Sequence, residues 1–127
     1  MSKLLARAKV KFFNSQSNYI RIGQDDAFLD ETCYNLQQTI ELCLKYMVEM
    51  QGDVYVENHD IRAQLNKLDY VPNKEKLIQM ASTINSWEAE SRYNDNFTAL
   101  IEEINAVREI ADKLIEHCES LVTEKND

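Results

Sequence analysis

Asp25 to Gly52, DDAFLDETCYNLQQTIELCLKYMVEMQG, decides the fold. Leu29, Cys33, Leu36, Ile40, Cys43 and Met47 recur at alternating steps of four and three. That spacing lays one apolar stripe down a long helix. Gly52 stops it, because glycine takes the left-handed conformation that closes a helix at low cost. Asp25 or Asp26 can start it by accepting orphan backbone N–H groups. Beside the stripe runs a polar row, Tyr34, Gln38, Glu41 and Lys45, spaced four, three and four. Such a helix can pack a core with one face and present chemistry with the other.

Working outward, residues 2–22 form a helical segment in which Leu5, Ala8, Phe12 and Tyr19 share a face, with Ser15 a weak spot and Gly23 a break. Val54, Tyr55 and Val56 lack a partner strand and read as a loop that packs on the core. Asn58-His59-Asp60 opens a short helix carrying Ile61, Leu65 and Leu68, and Val71-Pro72 ends it, since a residue before proline is driven from the helical region. A fourth helix spans about 73–90 with Leu77, Met80, Ile84 and Trp87 inward. Asn94-Asp95 caps a restart into a last helix over about 95–122, carrying Phe97, Ile101, Ile104, Val107, Ile110, Ala111, Leu114, Cys118 and Leu121, with fraying expected around Asp127. The expectation is an all-α, up-and-down bundle of about five helices, three long and two shorter, in one domain over 1–127.

Composition agrees. Two glycines and one proline leave few turns and long helices. The net charge of −8, from 22 acidic and 14 basic side chains, argues against non-specific nucleic-acid binding, which rests on neutralising phosphates. Lys3, Arg7, Lys9, Lys11 and Arg21 cluster before any acid occurs. They read as a solvated face complementing the acidic C-terminal segment, or as a phosphate patch. Cys33 and Cys43 would lie about 15 Å apart on one helix, beyond disulfide reach. With Cys118 they read as reduced core thiols of a cytoplasmic protein. The N-terminal segment lacks the apolar run of a signal peptide, and no stretch approaches a membrane span.

Three local strings carry a resemblance. QQTIELCLKYMVEMQG (Gln37–Gly52), ENHDI (Glu57–Ile61) and ESRYND (Glu90–Asp95) resemble, in order and separation, strings of the HEPN family of small helical bundles. Asn94 stands where that family usually has proline. The resemblance implies a helical bundle, often a homodimer, and frequently one encoded beside a minimal nucleotidyltransferase in toxin–antitoxin or defence settings. Nucleotide binding has been proposed for the family, and some branches are metal-independent ribonucleases.

The ribonuclease motif is an arginine followed, after four to six intervening residues, by a histidine, a cation to steady phosphate and an imidazole to move protons. From Arg92 those positions hold Phe97, Thr98 and Ala99, and His117 lies about six turns further on. No catalytic residues are therefore assigned.

The expected ligand-binding surface is Arg92, Tyr93, Gln38, Glu41, Lys45 and His59, with Arg92 and Lys45 meeting phosphate and Tyr93 stacking on a base. Architectural readings stand beside these. Arg92 can lock to Glu88, Glu90 or the polar row, and His59 can bond a backbone carbonyl or Asp60. The paired glutamines can form an internal network. No metal-ligand spacing, glycine-rich phosphate loop or Cys–His grouping is present, so no metal or cofactor is expected. Three functions remain open: an inactive nucleotide-binding or nucleotidyltransferase-partnering module, a divergent ribonuclease, or a structural protein-interaction bundle.

Overall fold

A computed structural model describes residues 2–126, with side chains described through 122. Five helices follow in order: α1 Leu4–Ile20, α2 Asp26–Met50, α3 Ile61–Leu65, α4 Lys74–Tyr93 and α5 Ile101–Asn126. No strand occurs among the described residues. The five helices match the expected all-α bundle, with four long ones of 17 to 26 residues and one short one of 5, α3. The fraying expected at Asp127 lies outside the described residues.

α2 begins as the sequence implies. Asp25 is its N-cap and accepts from the Ala27 N–H at 2.9 Å. At its other end Gly52 has φ of 90°, the Gly52 N–H bonds the Glu49 carbonyl, and the Asp53 N–H bonds Val48. That pairing uses two carbonyls the helix would otherwise leave unsatisfied.

α2 is the central helix and packs against all four others. This corrects the expectation of one outward-facing polar face. Of the polar row, Glu41 and Lys45 are buried and Tyr34 and Gln38 half-buried. The stripe residues Cys33, Leu36, Ile40, Cys43 and Met47 join Ile84 and Trp87 of α4 and Ile104 and Leu114 of α5 in one core. α1 also touches α5. Tyr19 donates to the Asn105 side chain, Arg108 lies over the Tyr19 ring, and Lys9 pairs with Glu119. Ser15 is a sound position rather than a weak one, buried and donating to the Phe12 carbonyl at 2.6 Å.

Three boundaries differ from expectation. α3 ends at Leu65, well before Pro72, and Leu68 is buried from the following turn. α4 runs three residues past Glu90, because the Asn94 N–H still reaches the Glu90 carbonyl. α5 starts at Ile101, not near Asp95. Asn94 closes α4, and its side chain accepts from the Asn96 N–H, turning the chain away. Phe97 therefore packs on the core from a loop, and Ile101 is exposed. All three cysteines are free and buried.

Candidate functional site

The site is a polar track along α2 with two ends. Its buried end centres on Glu41, 4% exposed. The Glu41 carboxylate accepts from Gln37 Nε2 at 3.1 Å and from His59 Nδ1 at 2.8 Å, and faces Lys45 Nζ at 3.5 Å. Gln37, with no exposure, passes the network on, its Oε1 accepting from Gln38 Nε2 at 2.7 Å. Lys45 lies 5.2 Å from the centre of the Tyr55 ring. A buried ion pair survives only when such extra contacts offset its lost hydration.

His59 reaches this network from a loop held on both sides. Gln64 of α3 clamps the loop through both the N–H and the carbonyl of Val56, at 3.0 and 2.7 Å. Asn85 of α4 accepts from the Ile61 N–H and donates to Asp60, which itself caps α3 through Arg62 N. A carboxylate only accepts, so His59 Nδ1 is the donor. The imidazole side chain remains 63% exposed, and Nε2 has no protein partner.

The other end centres on Tyr34, 10 Å or so further up α2 at the usual helical rise. Arg92 stands in the last turn of α4, not between helices as the sequence suggested. Its guanidinium lies over the Tyr34 ring at 5.0 Å and over the Tyr93 ring at 4.8 Å. Nε donates to the Glu88 carbonyl at 2.9 Å, and Nη2 pairs with the Glu88 carboxylate. Nη1 keeps no protein partner. Lys11 of α1 also approaches the Tyr34 ring, at 5.5 Å. Tyr93 is exposed, as are Leu100 and Ile101 beyond it.

Gln38, Glu41, Lys45 and His59 thus form one network, and Arg92 and Tyr93 form a second group around Tyr34. Asp60 takes Asn85 as its partner, leaving His59 to Glu41. Sequence reasoning did not single out Gln64 or Asn85, placed Lys11 only in the N-terminal basic cluster, and took Gln37 only as one of the paired glutamines of an internal network, which it is. Gln37 was within reach, standing one turn before Glu41. The others act across elements, where linear spacing is silent. Among the described residues no group of His, Cys, Asp and Glu is arranged to hold a metal ion, and no helix is long and apolar enough to cross a membrane.

A small all-helical bundle wrapped around one polar-tracked central helix is the class this fold defines. The family model for the HEPN domain matches residues 1–127, and the chain belongs to that family. No curated protein and no solved structure matched.

Proposed function

We propose that this HEPN domain is a binding module for a nucleotide or related phosphate ligand, without ribonuclease activity of its own. The observation that carries this is Arg92. Its guanidinium lies 5.0 Å from the centre of the Tyr34 ring and 4.8 Å from that of Tyr93, is anchored to Glu88 and is open at Nη1. A pre-oriented planar cation suits an anionic oxygen pair, and an exposed tyrosine ring suits a base. Lys45, by contrast, is enclosed with Glu41 and supports the framework instead of meeting phosphate. The separation of His59 from Arg92 along α2, and Phe97, Thr98 and Ala99 where the motif needs histidine, support an inactive module.

The same reading makes the exposed Leu100 and Ile101 the contact face of a cytoplasmic homodimer or of a nucleotidyltransferase partner, in the toxin–antitoxin or defence setting common in this family. Calorimetric titration with ATP and other nucleotides, repeated with Arg92→Ala, tests it. Saturable binding lost in the variant with helicity intact is expected. Absence of heat at millimolar ligand would overturn it and leave a protein-interaction bundle.

One observation favours a second reading, a divergent ribonuclease. Glu41 orients His59 through Nδ1 and leaves Nε2 open, the arrangement of an imidazole base. RNA cleavage by pure protein, abolished by both His59→Ala and Arg92→Ala, would establish it.

A further inference from the structure

α1 carries two seams, and the bundle covers only one. Leu5, Ala8, Phe12, Ser15 and Tyr19 follow steps of three and four, are buried or half-buried, and face the core. Ala6, Val10, Phe13, Ser17 and Ile20 follow steps of four and three along the other side. There Val10 is 58%, Phe13 70% and Ile20 80% exposed. Single exposed apolar side chains are ordinary on a protein surface. Three in register over about 15 Å of one helix form a continuous face. Among the described residues no other helix exposes two large apolar side chains within three turns of each other.

Spacing and flanks together say what fits. A strict four-three repeat is the narrow seam by which one helix takes another, whereas a helix that lies on a bilayer needs a wider apolar face. The heptad register places Arg7, Asn14 and Arg21 along one edge of the seam and Lys9 and Gln16 along the other. Edge positions of this kind set partner choice, and here they hold cations and amides. Residues 1–24 contain no acid at all. Among the described residues Lys9 alone of these cations pairs with a carboxylate, that of Glu119 at 3.4 Å, and both side chains stay about half exposed. A second copy of α1 would set cation against cation in either orientation, so the face is built against pairing with itself.

We propose that the outer face of α1 docks an amphipathic helix of another protein, one whose apolar seam is edged by Asp and Glu. Val10, Phe13 and Ile20 supply the apolar contact, and Arg7, Lys9 and Arg21 meet the partner's carboxylates. This surface uses none of the residues of the polar track and neither Leu100 nor Ile101, so it stands whether or not the phosphate-ligand reading does.

The test titrates the full chain with a synthetic three-heptad peptide that carries Leu at the seam positions and Glu at the edges, and with a twin that carries Lys at the edges. Fluorescence anisotropy reads affinity, and circular dichroism reads helix gained by the peptide. The acidic peptide is expected to bind about tenfold or more tighter than its twin, with an advantage that shrinks as salt is added. Phe13→Ala and Ile20→Ala, exposed positions where the fold loses little, are each expected to weaken it about tenfold or more. Arg7→Glu combined with Arg21→Glu is expected to reverse the preference between the peptides. Equal affinity for the two peptides, no binding of either, or affinity untouched by Phe13→Ala overturns the proposal. Concentration-dependent dimerisation of the wild type that Phe13→Ala abolishes overturns it in favour of a second copy. Binding to phosphatidylserine vesicles that Phe13→Ala abolishes, with no peptide bound, overturns it in favour of a membrane surface.

Discussion

Glu41→Ala offers the sharpest probe of the interior. The carboxylate is 4% exposed and serves Lys45, Gln37 and His59 at once. Its removal leaves the Lys45 ammonium, at 8% exposure, without a counter-charge. Breaking a buried pair in this way typically costs about 3–5 kcal/mol. The low end applies here, because the Nζ–Oε2 separation is 3.5 Å and Lys45 keeps the Tyr55 ring. Gln37 Nε2 loses its acceptor where no water reaches, adding roughly 1 kcal/mol. His59 is exposed and returns to water at little cost. The expected loss is therefore about 4 kcal/mol, a large part of the roughly 5–15 kcal/mol a domain holds. In thermal unfolding followed by circular dichroism it corresponds to a midpoint lower by about 15 °C for a chain this size. Glu41→Leu combined with Lys45→Met removes both charges and is expected to recover about half of the loss, since replacing a whole buried pair is often neutral. A loss under about 1 kcal/mol for Glu41→Ala, or a double variant no more stable than the single one, would refute the reasoning.

Four further outcomes are expected. Gly52→Ala destabilises by about 1–2 kcal/mol in urea unfolding, because φ is 90° there. Gly23→Ala is neutral or slightly stabilising, since no atom lies within 4 Å of the added carbon and no left-handed backbone is needed. Asp60→Ala removes the α3 cap and the Asn85 contact together, costing about 1–2 kcal/mol and speeding hydrogen exchange at residues 61–65. Burial, then Asp30 and Glu103, pushes the Cys33 thiol up to about 12 from an ordinary 9.0. Below that ordinary value both folded and unfolded chains hold the proton. Above it the unfolded chain releases its proton first, so stability falls as pH rises toward 12, and Cys33→Ala flattens part of that fall.

Most of the fold was legible because α2 is long, strictly periodic and stopped by a glycine, and because α4 and α5 carry their own stripes. What could not be read was enclosure. The Tyr34–Lys45 row looks like a surface from its spacing, and only the arrival of α1 on one flank and α3 and α4 on others makes it interior. Local signals also conflicted around Asn94. An asparagine after a polar run can start a helix or end one, and here it ends α4, so Arg92 gained a helical seat and Glu88 as its i,i+4 partner. The Glu41–Lys45 pair was legible from its spacing. The approach of His59 was not, since a loop positions it through Gln64 and Asn85, which stand on other helices.

The place of α5 has a consequence during synthesis. α5 supplies Cys118, whose thiol lies against the Cys43 carbonyl, and it covers one flank of both α1 and α2. Of the five helices it is translated last, about fifty residues after α2 is complete. At ribosomal speeds of roughly 5–20 residues per second, the α1–α2 pair waits several seconds with that flank open. For that interval Cys43, inert and with its thiol pushed up in the finished bundle, stands in water as an ordinary reactive cysteine. The nascent chain, rather than the mature one, is thus the form in which an oxidant or a chaperone meets the middle of this protein.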